Sequence, residues 1–207
     1  MGIINQGILG GFSGKVGSVV GANWKGINYM RSKAVSVANP RTEGQVRQRT
    51  KFSVTLSFLQ PITEFLRVGY KMYAIKKTAF NAAMSYFIDN AITGESPDFM
   101  IDPTKVLVSR GPLTPALNAT ASIQPGEVSV SWDDNTSLGS AAATDKALIV
   151  AYNVTKKEAV YTTSGANRSE GNQVLPIPND WSGDTISVHL GFISEDGTKV
   201  SNSVAAQ

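Results

Sequence analysis

The sequence predicts an α+β protein, in which an N-terminal β-ribbon plus helices is followed by a C-terminal antiparallel β-sandwich (immunoglobulin/fibronectin III-like). Three observations predict it. Apolar and aromatic residues alternate with small or polar ones between Gly11 and Met30. Apolar residues then recur at spacings of three and four from Phe52 to Ala91, and short runs broken by turn signals fill the chain after Asn118. Gly111-Pro112 to Pro115 reads as a linker, so we place a basic ribbon-and-helix domain at 1–111 and a small β-sandwich domain at 112–207.

In the ribbon, Val16, Ser18 and Val20 are expected on one face and Gly17, Val19 and Gly21 on the other. Trp24, Ile27, Tyr29 and Met30 form the return run, after a turn between Ala22 and Gly26. Glycines at 10, 11, 14, 17 and 21 weaken an isolated strand, so their density points to bulges or to close approach of another backbone, such as a neighbouring subunit's.

Asn39-Pro40 keeps the chain out of helix, and Thr42 with Gln45 three residues on fits a capping box. In the helix that follows, Arg47 and Lys51 share a face while Arg49 projects elsewhere, and Phe52, Leu56 and Leu59 make an apolar stripe. Pro61 kinks this helix or opens a second one, along which Ile62, Phe65, Leu66, Tyr70 and Tyr73 continue the stripe. A third helix carries Phe80, Ala83, Met84, Phe87, Ile88 and Ala91 and stops by Gly94. Beyond the linker, ATASIQ, EVSVSWD, DKALIVAYN, EAVYTTS, NQVLPI, TISVHLGFIS and KVSNS read as seven strands, with Trp132, Ile149, Ala151 and Tyr152 feeding the core.

Composition narrows the chemistry. The chain has 207 residues, 42% hydrophobic and 17% charged, which describes a folded protein able to bury a substantial core. With no cysteine, disulfides, thiolate nucleophiles and zinc–thiolate sites drop out together, and His189 is the single histidine. The opening MGIINQGILGGF has no basic region before its apolar residues, so no signal peptide is expected, and no apolar run is long enough to span a membrane. Virion or cytoplasm is the expected location. Charge is divided: residues 1–111 carry a net +8 and residues 112–207 a net −5. Either the basic half faces an anionic partner, or opposite halves of neighbouring copies attract.

Candidate motifs mostly fail. Gly10 to Lys15 resembles a phosphate loop, but Val16 stands where Ser or Thr is required. Asp133-Asp134-Asn135 lacks the ligand series of a calcium loop and reads as a hairpin turn. His189 could be a general base, yet without a serine elbow or a cysteine it reads as a strand residue facing solvent or a satisfied core partner. No catalytic residue, metal or cofactor is therefore expected. One constellation remains: Lys15, Lys25, Arg31, Lys33, Arg41, Arg47, Arg49 and Lys51, interleaved with Trp24 and Tyr29. Such a set suits a subunit interface, or a nucleic-acid surface in which cations meet phosphates and Trp24 stacks on bases; a solvated face is the plain alternative.

The runs SGKVGSVVGANWKGINYMRS and NPRTEGQVRQRTKFSVTLSFLQPI resemble an uncharacterised Bacteroidota family built on a domain of unknown function, with related phage-borne proteins. The resemblance covers about the first half and extends loosely into the second. It implies an architecture and a phage or mobile-element setting, and no catalytic residues. The expectation is a non-enzymatic structural protein that self-assembles as a homo-oligomer, a phage virion or phage-like particle component whose partners are its own copies and other virion proteins. The alternative is a nucleic-acid-binding protein using the basic ribbon.

Overall fold

The computed structural model describes residues 2–4, 10–24, 26–36, 39 and 41–206. The protein is mixed α and β with mostly antiparallel sheets, and it divides into two compact units, Met1–Thr42 and Glu43–Gln207.

The first unit is a four-stranded sheet in the order β1-β2-β3-β4, formed by β1 (Ile3–Ile4), β2 (Phe12–Val16), β3 (Val19–Trp24) and β4 (Ile27–Ser32). The run expected to be one strand from Val16 to Gly21 is folded by a two-residue turn, Gly17-Ser18, so Val16 lies opposite Val19. Val16 and Val19 therefore share a face, and Val20 points the other way with Lys15. Glycine density has a local cause here. A side chain at Gly21 would run into the Phe12 ring, 2.6 Å from the Cβ position, so the close neighbour is this sheet's own aromatic residue.

The second unit has three layers. Its helices are α1 (Glu43–Leu59), α2 (Thr63–Gly69) and α3 (Ala79–Tyr86). Pro61 sits in a 3₁₀ turn, Gln60–Ile62, that separates α1 from α2, as a residue without an N–H donor requires. Thr78 caps α3, its Oγ1 accepting from the Asn81 N–H at 3.1 Å. A π-helical turn (Phe87–Ala91) leads into a small hairpin of β5 (Ile92–Thr93) and β6 (Met100–Ile101).

One sheet below the helices has the order β10-β9-β12-β13, and a second has the order β11-β8-β7. The strands are β7 (Leu117–Gln124), β8 (Glu127–Asp133), β9 (Lys146–Asn153), β10 (Glu158–Thr162), β11 (Asn172–Pro176), β12 (Ile186–Ile193) and β13 (Val204–Ala206). The final strand starts beyond KVSNS. Val200 and Ser201 make only isolated bridges, because the chain there bonds to the segment before β7.

From Ala147 to Asn153, β9 is buried on both faces. Ala147, Ile149 and Ala151 pack with Val128, Val130 and Trp132 of the second sheet. Leu148, Val150 and Tyr152 pack with Phe58, Phe65 and Phe87 from the helical layer. Tyr152 thus belongs to the helix side, with its ring 4.3 Å from that of Phe58.

This shared core explains why a boundary at 111/112 does not appear and the compact units meet at 42/43 instead. The expected linker is stitched into the fold. The Tyr70 hydroxyl donates to Leu107 O at 2.7 Å, the Arg110 N–H to Gly69 O at 2.9 Å, the Val108 N–H to Ser203 Oγ at 2.9 Å and the Leu113 N–H to Val200 O at 3.1 Å. Gly69 permits this approach, since a Cβ there would stand 2.5 Å from Val108 O.

Arg168 is fully buried at the end of the two-sheet layer. Its guanidinium pairs with Asp145 at 3.1 Å, donates to Asn135 Oδ1 at 2.7 Å and to Thr114 O at 2.9 Å, and lies 3.8 Å from the Phe192 ring centroid. Asn135, expected in a plain turn, is thereby a buried ligand of this cation. Arg168→Met should destabilise the chain by about 3–5 kcal/mol in urea unfolding because Asp145 is left buried without its cation. The double variant Arg168→Met/Asp145→Leu should lose less than the single one.

Candidate functional site

Strand register brings four of the predicted residues onto one face of the N-terminal sheet. Lys15 is opposite Val20, and Val20 is opposite Arg31, so the two cations flank β3 at one level, about 10 Å apart at Cα. Tyr29 is opposite Ala22, and Ile27 is opposite Trp24. Opposed residues share a face and every second residue keeps it, so Lys15, Trp24, Ile27, Tyr29 and Arg31 point to the same side. Trp24 is 62% exposed, Ile27 63% and Tyr29 44%.

The other face of the sheet fastens the turn that carries Trp24. Asn23 Nδ2 donates to Asn28 Oδ1 at 2.8 Å, and the Gly26 N–H donates to Asn23 Oδ1 at 3.0 Å. Sequence alternation alone could have found Ile27 as a member of the cationic face. It could not have assigned Lys15, whose side relative to Tyr29 depends on where the turns fall.

The remaining predicted residues lie elsewhere. Lys33 and Arg41 are exposed beyond β4, and the Lys33 N–H donates to Ser18 O at 2.7 Å. Lys25 lies outside the described residues. Arg47, Arg49 and Lys51 belong to the other unit, on α1, where Lys51 Nζ stands 5.2 Å from the Phe99 ring centroid. Residues 1–42 contain five Lys and Arg and no Asp or Glu. Cations so placed attract anionic groups such as phosphates and carboxylates.

His189 is fully buried on the helix side of β12, opposite Val150. Its Nε2 lies 3.0 Å from Ser187 Oγ, while Nδ1 is a buried polar atom without a hydrogen-bond partner among the described residues. It is therefore neither solvent-facing nor a fully satisfied core residue. Burial lowers its pKa to about 4, so the ring is neutral near pH 7. A nucleophile–base pair also needs a third group to orient the base, and no described residue bonds Nδ1. Among the described residues no group of three or more His, Asp or Glu could hold a metal ion, and no helix is long and apolar enough to cross a membrane.

The sign of the His189 effect on stability follows from its lowered pKa. Above pH 6.5 the imidazole is neutral in both folded and unfolded chains, and its contribution is fully present. As the pH falls from about 6.5 to about 4 the unfolded chain binds the proton first, and stability falls. The loss attributable to His189 should reach about 3 kcal/mol below pH 4, read as the difference in urea unfolding between the wild type and His189→Leu across that range.

Among curated proteins none matches this chain. Among solved structures it is similar to the solution structures of the fn3 domain of the human collagen alpha-1(XX) chain, at 17% identity over 45% of this chain and 81% of that one, with a TM-score of 0.33. A family model matches residues 11–206, across both units and well past the N-terminal half that carries the sequence resemblance. The basic N-terminal sheet and the three-layer body thus fall within one family, and the chain belongs to the family of unknown function DUF6266.

Proposed function

We propose that the protein is a non-enzymatic structural protein that self-assembles through its N-terminal sheet, as a component of a phage virion or phage-like particle. One observation carries this reading: among the described residues before Glu43 only Gly21 is buried, while Ile3, Val16, Trp24, Ile27, Tyr29 and Met30 are exposed. A small sheet without a core of its own is marginal in water and gains stability when another surface covers it. Charge favours a second copy as that surface. The five Lys and Arg of residues 1–42 are unopposed by acids within that segment, whereas residues 112–207 carry a net −5.

The burial of His189 supports the absence of a reaction centre, since a general base must reach its proton. The strand order β11-β8-β7 against β10-β9-β12-β13 supports reading the two sheets as a sandwich of fibronectin III style.

Light scattering should show particles that grow with protein concentration and shrink in 0.5 M salt. Trp24→Asp should raise the concentration needed for assembly by about tenfold or more, without changing the melting of the three-layer body. A wild-type chain that stays a homogeneous monomer at high concentration would reject assembly.

A second reading, single-stranded nucleic acid, is favoured by the shared face of Lys15, Arg31, Trp24 and Tyr29. If it holds, anisotropy with a labelled oligonucleotide should show binding that weakens with salt. Lys15→Glu/Arg31→Glu should then flatten the log–log salt slope by about 1.4. Binding indifferent to that double variant would dismiss this reading.

A further inference from the structure

The three-layer body contains a cleft of about 360 Å³ that plays no part in the assembly reading. Its walls differ in chemistry. Val54 and Phe58 of α1, together with Phe99, Ile101 and Val106, make one side apolar. Tyr152 and Ser187, neighbours across β9 and β12, and Lys157 in the turn after β9 supply polar groups from the other.

These polar groups are available to a ligand. Tyr152 is 4% exposed, and its hydroxyl forms no hydrogen bond with a described residue and is not among the sealed polar atoms. Burial pushes this phenol up to about 12, so it remains a donor across the physiological range. Lys157 has no carboxylate partner among the described residues. Ser187 Oγ is engaged with His189 Nε2 at 3.0 Å.

Pockets for small molecules are mostly apolar, with a few polar groups that fix orientation, and their volumes start near ~300 Å³. An ammonium and a phenol donor at one end favour an anionic head group, and the aromatic and aliphatic wall favours a hydrocarbon body. Lys157 is exposed at this cleft, so an anion gains its attraction, a neutral ligand does not, and a cation is repelled.

We propose that this cleft binds a small amphipathic carboxylate, with its hydrocarbon body against Phe58, Phe99, Ile101 and Val106 and its carboxylate at Lys157 and the Tyr152 hydroxyl. The site lies wholly within the second unit and is independent of what covers the N-terminal sheet.

The test is calorimetric titration of the full-length protein with decanoate and, separately, with 1-decanol. Decanoate should bind saturably, one per chain, and decanol about fivefold more weakly or worse. Lys157→Ala should weaken decanoate about fivefold and leave decanol unchanged. Val54→Trp, which fills the apolar end, should abolish binding of both; Ser57→Trp from the same wall repeats the block if the first variant lowers the melting temperature. The proposal falls if decanoate does not saturate, if neither filling variant reduces its binding, or if decanoate and decanol bind equally well.

Discussion

Burial of β9 on both faces is the constraint from which the body of this protein follows. A strand covered on one side would alternate apolar and polar residues, but Ala147 to Tyr152 is apolar at every position. Each face then needs its own cover. Ile149 requires the second sheet and Val150 requires the helices, so neither layer is complete without the central one. Fully buried side chains of this size each contribute roughly 1.5–3 kcal/mol, and β9 with its neighbour β12 supplies them to two cores at once. A helical layer and a two-sheet layer that share such a strand fold as one body.

Position along β9 and β12 also fixes the chemistry of the buried polar residues. Parity puts His189 and Tyr152 on the helix side, and His189 Nδ1 is buried there without a hydrogen-bond partner among the described residues. The consequences differ because the surroundings differ. His189 is sealed among apolar neighbours and is held neutral, whereas Tyr152 lines a cleft and keeps a donor facing it. On the opposite side, Arg168 resolves the same problem by saturation, with a carboxylate, an amide oxygen, a backbone carbonyl and an aromatic face around one guanidinium.

Much of the secondary structure was legible in the sequence, because it rests on local signals. Pro61 marked the break between α1 and α2, and turn residues bounded six of the seven expected strands closely. The boundary at 111/112 failed for a reason that local signals do not carry. Gly111-Pro112 has linker composition, but its neighbours bond to Gly69 and to residues 200–203, far away in the chain. The continuous run KALIVAYN was the clue to a doubly covered strand, and reading it as half of a two-sheet core put Tyr152 on the wrong side. Asn135 was equally hidden, since a turn asparagine and a buried ligand of a distant arginine look alike in sequence.

In the N-terminal sheet, residue types were legible and faces were not. One turn at Gly17-Ser18 reverses the assignment of everything after it, so placing Val16 to Gly21 in a single strand scattered the cations. With that turn in place, Lys15 and Arg31 share a face with Trp24 and Tyr29. The contrast between the units then bears on function. Glu43–Gln207 buries apolar side chains in two cores and pairs its one fully buried guanidinium, while the sheet before it leaves aromatic residues and cations outward. The described strands of that sheet are organised by register and by side-chain amides, and they leave Trp24, Ile27, Tyr29 and Met30 exposed.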